Sequence, residues 1–163
     1  SRGLGDVYKR QGAGVSLAFS GDFVVCADNA KFIMAFVNLG LVPDTGGTYL
    51  FVKSLGIQKA MELCVTGRPM KAQEAKDAGM VYDVVPAEEL DDTVMKLAKK
   101  FANGPLLSYK NIKKQIYQAG LADYKKYLDE CEIPTQRECA ASSDFIEGVK
   151  AFMEKRKAEF KGE

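Results

Sequence analysis

Two apolar runs of strand length, 22–27 (DFVVCA) and 31–36 (KFIMAF), stand three residues apart, with short Gly-punctuated helical stretches on either side. That arrangement constrains the fold more than any other feature of the chain. Runs of this length rich in β-branched and aromatic residues read as strands. Ahead of them, 14–19 reads as a short helix springing from a small-residue turn. Behind them, NLGLVPDTGGTYL reads as a loop that opens a helix over 48–55, and Gly56 ends that helix. IQKAMELCVTG is a further amphipathic segment closed by Gly67, 72–79 a short helix with Gly at its C-cap, and VYDVV a strand. The second half is helical, with helices predicted over 87–103, 105–119, 121–141 and 143–160. In the last, Phe145, Val149, Phe152 and Phe160 recur at helical spacing. Short strands alternating with helices, then a helical tail, point to an α/β domain with an appended helical region.

The opening SRGLGDVYKRQ has no hydrophobic period, and the character changes abruptly at Gly12. These eleven residues look like the translation of adapter DNA from transposon-based sequencing libraries. They are expected to lie outside the fold, with Leu4 and Tyr8 unpacked and the native sequence starting at Gly12, inside a gene. Setting them aside takes Arg2, Lys9, Arg10 and Asp6 out of 23 basic and 22 acidic residues and moves the net charge from +1 to −1. Nothing in that balance suggests nucleic acid. The lysines at 109–114 and 155–161 are interleaved with apolar residues and read as solvated helix faces. With 47% hydrophobic residues in 163, the chain can bury one core, and no run is long enough to span a membrane. Cys26, Cys64, Cys131 and Cys139 show no CxxC spacing and read as reduced, mostly buried thiols of a cytoplasmic protein. The chain has no histidine, so imidazole bases, His metal ligands and Ser-His triads have no source in it.

Three places can carry chemistry. Gly12-Ala13-Gly14 precedes a helix, and its backbone N–H groups can hold an anion or an oxyanion, although on this stretch alone a tight turn chosen for packing is the better reading. Asp44 in VPDTGGT is a helix N-cap by spacing, or a proton-shuttling carboxylate at the mouth of an apolar cleft. Phe152, Lys155, Arg156 and Phe160 form either an amphipathic helix end or a phosphate contact.

Taken in order, these stretches resemble the crotonase, or enoyl-CoA hydratase/isomerase, superfamily. GAGVSLAFSGDFVVCADNAKF is similar to the family's GxGxxLAxxCDxxxAxxxAxF block. NLGLVPDTGGTYL, TGRPMKAQEAKDAGMVYDVVP and DFIEGVKAFMEKRKAEFKG resemble three further blocks at fitting intervals. The resemblance implies a spiral of ββα turns over 12–104, a helical trimerisation region over 105–163, and a coenzyme A thioester as substrate. It implies a homotrimer or hexamer at full length. No cofactor is expected, since coenzyme A is part of the substrate. Family chemistry proceeds through a thioester enolate held by two backbone N–H groups. One falls at Ala13, flanked by Gly12 and Gly14, and the other belongs to a segment ahead of this sequence.

The departures from the family pattern select the reaction. The two glutamates that handle water in the hydratases fall at Ser16 and Phe36, and a phenyl ring supplies neither an acid nor a base. Asp44 falls where isomerase branches place a catalytic aspartate, and AFVNLGLVPDTGG resembles the 1,2-epoxyphenylacetyl-CoA isomerase branch. Met34, Ala35 and Phe36 are expected to form a dry wall beside such a carboxylate. Positions matching Phe152 and Lys155 approach the coenzyme A of an adjacent protomer. The expectation is an acyl-CoA isomerase, with double-bond migration or epoxide-to-oxepin ring expansion as its reaction. The alternatives are an enoyl-CoA hydratase or another crotonase reaction using residues outside this sequence, a non-catalytic acyl-CoA-binding or assembly member, and a piece inactive by itself.

Overall fold

In the computed structural model, which describes residues 10–162, a two-residue strand β1 (Arg10–Gln11) turns at once into α1 (Ala13–Phe19). Gly12 makes that turn with φ 57° and ψ −132°, a conformation open to a residue without a Cβ. The chain then forms β2 (Val25–Ala27), β3 (Lys31–Ile33) and a 3₁₀ turn (Ala35–Leu39). α2 (Gly47–Thr66) follows, then β4 (Met70–Lys71), α3 (Ala72–Asp77) and β5 (Asp83–Val85). Gly56, at φ 76° and ψ 169°, kinks α2 where the sequence predicted one helix to end and another to begin. β3 lies between β1, which it meets in parallel, and β4, which it meets antiparallel. β2 and β5 pair in parallel with Cys26 opposite Val84. Phe19, Phe32 and Phe51 meet between these layers, with Met34, Leu63 and Met70 completing the buried centre.

Four expectations shift. Arg10 and Gln11 belong to the fold, opposite Phe32 and Ile33. A strand ladder uses only backbone N–H and C=O groups, so it accepts this sequence without a side-chain pattern. Leu4 and Tyr8 lie outside the described residues. The run 31–36 leaves the strand after Ile33: Met34 adopts φ −81° and ψ 72°, and Phe36 is buried from a 3₁₀ turn. Likewise the strand in 22–27 begins only at Val25, because a ladder extends no further than its partner β5. The thiols are less buried than expected: Cys26 is buried, Cys64 and Cys139 half-buried, and Cys131 exposed. Burial, reinforced by the nearby Asp83 charge, pushes the Cys26 thiol up to about 11.

The second half is helical as predicted, through α4 (Leu90–Ala102), α5 (Leu106–Gly120), α6 (Tyr124–Tyr127), α7 (Ile133–Ala140) and α8 (Ser143–Glu154). A π turn, Leu128–Glu132, joins α6 to α7. α5 folds back on α4 and on the first half: Tyr109 stacks edge-on to Phe101, while Lys113 and Tyr117 both donate to Asp22. α8 stops six residues before the predicted end. Lys155 takes φ 54°, and Arg156 turns back to pair with both oxygens of Glu147 at 2.6 and 2.8 Å. Phe160 therefore lies outside the helix. Ile57, Met61 and Val65, spaced four apart on α2, are each at least 60% exposed, an apolar stripe of the kind that marks a contact surface. Among the described residues no helix is long and apolar enough to cross a membrane.

Candidate functional site

The segment from Asp44 to Gly47 is a tight turn closed by Gly47 N–H donating to the Asp44 carbonyl at 3.0 Å. Both central residues have positive φ, 56° at Thr45 and 74° at Gly46, which is the type I′ pattern. Glycine adopts it freely. Threonine does not, since a β-branched side chain at positive φ is a strained outlier. The turn delivers the chain into α2 with Gly46, not Asp44, at the N-cap. The spacing that favoured Asp44 as a cap is thus overturned: its carboxylate accepts the Thr45 hydroxyl at 2.7 Å and makes no capping bond. A half-buried carboxylate is left at the foot of α2 with one neighbour at Oδ1.

Two elements hold this turn. From α1, the buried Ser16 hydroxyl donates to the Asp44 carbonyl at 3.0 Å. A Cβ on Gly47 would run into Ser16 and Met34, so α1 and the start of α2 are in direct contact. From the π turn, Glu132 reaches across 86 residues of sequence and accepts Gly46 N–H at 3.0 and 2.9 Å. Glu132 is 6% exposed. Burial pushes its carboxyl up, the Gly46 N–H pulls it down, the Asp44 charge pushes it up again, and the Thr45 N–H pulls it down. The Tyr124 hydroxyl lies on the Gly46 Cα and would overlap any Cβ there. Tyr124 itself is pushed up by burial and by Glu132.

The start of α1 lies one helical turn before Ser16, about 5 Å along the axis. Its first helical hydrogen bond is Val15 N–H to Gly12 O at 2.9 Å. The Ala13 and Gly14 N–H groups precede the ladder, as those of any helix N-terminus do, and Ala13 is exposed. The Phe36 ring lies over Gly12, 3.6 Å from where a Cβ would stand, while Gly14 has open space around its Cα. α1 therefore brings Gly12 against Phe36 and Ser16 against the Asp44 turn, with Ala13 at the start of the same helix. Phe152 is 77% exposed at the end of α8, and Lys155 is its left-handed C-cap.

Sequence reasoning missed Glu132 and Tyr124. Glu132 is one of three acids in LDECE, and a 3.6-residue period does not tell which faces inward once the backbone adopts a π turn. A groove of about 980 Å³ runs between α5, the C-terminal end of α1 and the first half of α2, past Phe23, Lys53, Phe101 and Ile116. It includes none of Ala13, Ser16, Phe36 and Asp44. Among the described residues no cluster of His, Cys, Asp or Glu is placed to hold a metal ion.

The fold, α/β and mostly helical, is of the crotonase type. The chain belongs to the enoyl-CoA hydratase/isomerase family, whose model matches residues 9–163. It is 42% identical over 151 residues to the 1,2-epoxyphenylacetyl-CoA isomerase of Escherichia coli, and 38% identical over 151 residues to the trans-2-decenoyl-[acyl-carrier-protein] isomerase of Streptococcus mutans. Both matches cover 93% of this chain and 57% of the relative, so the chain spans a little over half the length of these proteins. A solved structure of an enoyl-CoA hydratase from Mycobacterium avium subsp. paratuberculosis superposes with a TM-score of 0.90 at 32% identity, over 94% of this chain and 62% of that one. The relatives' names include both isomerases and a hydratase.

Proposed function

We propose that the chain is the C-terminal part of an acyl-CoA isomerase in which Asp44 shuttles the proton. One observation carries the reading: the carboxylate on the fixed turn is Asp44, while Ser16 and Phe36 occupy the positions that the family resemblance gives to the water-handling glutamates. Ser16 is spent holding the Asp44 carbonyl, and Phe36 presents a ring. In double-bond migration Asp44 removes a proton from C2 of a 3-enoyl thioester, and the electron pair moves onto the carbonyl oxygen. The Ala13 N–H, with a second donor from outside this sequence, holds that oxyanion. Return of the same proton to C4 re-forms the thioester carbonyl and leaves the 2-enoyl product. No water is consumed, and coenzyme A enters as part of the substrate. Epoxide-to-oxepin isomerisation is the other reaction of this class.

Product analysis tests the assignment. A full-length enzyme carrying this sequence, offered a 3-enoyl-CoA, is expected to yield 2-enoyl-CoA. Conversion of 2-enoyl-CoA to a 3-hydroxyacyl-CoA at comparable or greater rate contradicts it.

In the same reading the enzyme is a trimer or hexamer, with Ile57, Met61, Val65 and Phe152 as surface available for covering. Lys155 reaches a phosphate of the coenzyme A on a neighbouring protomer. Lys155→Ala is then expected to weaken binding of acyl-CoA by about 1–3 kcal/mol through loss of a charge-assisted contact. Titration calorimetry checks this. An equal loss with an acyl-pantetheine, which lacks the nucleotide phosphates, rules out the phosphate contact.

A further inference from the structure

Three unusual features converge on one turn. Thr45 is held at φ 56°, a conformation that costs a β-branched residue about 1–3 kcal/mol and persists only where its surroundings over-determine it. The backbone that faces it is a π turn, a rare element that here ends on Glu132. Glu132 is itself a buried carboxylate, and among the described residues it forms no ion pair with a Lys or Arg. A buried charge without a cation is costly unless hydrogen bonds compensate it. Here the compensation comes from the backbone at the foot of α2, where Gly46 N–H lies within 3.0 Å of both oxygens and the helix dipole favours an anion. The charged and titratable groups facing Glu132 are Asp44 from the turn itself, and Tyr124 and Tyr127 from α6.

We propose that Glu132 is a positioning residue for Asp44: by gripping Gly46 N–H from the π turn, it holds the left-handed Thr45–Gly46 turn closed and fixes the direction of the Asp44 carboxylate. Ser16 pins the same turn from the opposite side through the Asp44 carbonyl. The backbone of the proton carrier is thus clamped by two elements, while its side chain keeps one local neighbour and stays open to substrate. That is the arrangement a pre-organised proton transfer needs, because a displacement of about 1 Å can cost about 10²-fold in rate.

The inference rests on Asp44 being the proton carrier, and its test separates the two. In the full-length enzyme with a 3-enoyl-CoA substrate, Glu132→Ala is expected to lower kcat about 10–100-fold with little change in KM. Glu132→Gln keeps the reach to Gly46 N–H and should retain most of kcat. Glu132→Asp keeps the charge but withdraws the acceptor and should lose more, and it serves where the alanine variant does not fold. Paired with Asp44→Asn, the loss from Glu132→Ala should disappear, because the two residues act as one unit. Unchanged kcat in Glu132→Ala or Glu132→Asp, an aspartate variant as active as the glutamine one, or losses that add in the double variant would each overturn the positioning role. Near-normal turnover by Asp44→Asn alone would instead remove Asp44 as the carrier.

Discussion

Asp44→Asn, in a full-length enzyme carrying this sequence, is expected to lower isomerase turnover by about 10²–10⁴-fold, the usual cost of removing a general acid–base group. The fold should survive the change. Thr45 donates to Oδ1, and an asparagine carbonyl accepts that hydrogen bond equally well. The anchors of the turn, Ser16 to the Asp44 carbonyl and Glu132 to Gly46 N–H, use no atom of the Asp44 side chain. Binding of a saturated acyl-CoA should change little, since it requires no proton transfer. A steady-state assay beside a binding titration checks both halves.

Gly148→Ala is expected to produce the largest loss of stability of any single-methyl change in α8. Gly148 packs onto the 3₁₀ turn at Ala35–Leu39, and a Cβ there would stand 2.8 Å from the Leu39 backbone carbon and Cα. Backbone atoms cannot swing aside as a side-chain tip can, so α8 must lift away from the turn. Overpacking of this kind costs about 1–3 kcal/mol, against a helix-propensity gain for alanine of about 1 kcal/mol. The net fall in Tm should be roughly 2–4 °C for each kcal/mol in a protein of this size. Gly120→Ala, with open space around its Cα, is the control and should be neutral or stabilising. A thermal melt in which Gly148→Ala matches Gly120→Ala contradicts this account of how α8 docks.

Most of the architecture was legible because it rests on local signals. The Gly56 kink, the Gly67 C-cap and the alternation of short apolar runs with helical patterns all appear in the sequence and in the fold. Errors arose where a partner elsewhere decides the conformation. KFIMAF has strand composition throughout, yet β1 turns away at Gly12 after Gln11 has paired with Ile33, and Phe36 turns in to cover Gly12. The helical pattern of the last segment runs on to Phe160, but Arg156 is drawn back by Glu147, while Lys161 and Gly162 N–H groups find Asp144. At the site, the family resemblance led to Asp44, Ala13, Ser16 and Phe36, and composition led to the absence of histidine. Neither could reveal that Asp44 does not cap α2, because the capping function passes to Glu132, 86 residues away by hydrogen-bond partner. The π turn that aims Glu132 has no period or composition of its own.

The most direct measurement of the central claim is deuterium uptake from heavy water at the α-carbon of a bound acyl-CoA, followed by NMR in the wild-type and Asp44→Asn full-length enzymes. If Asp44 carries the proton, the wild-type enzyme exchanges that position and the variant slows in parallel with its loss of turnover, by about 10²–10⁴-fold. Exchange at the wild-type rate in Asp44→Asn contradicts the claim and places the base in a segment outside this sequence.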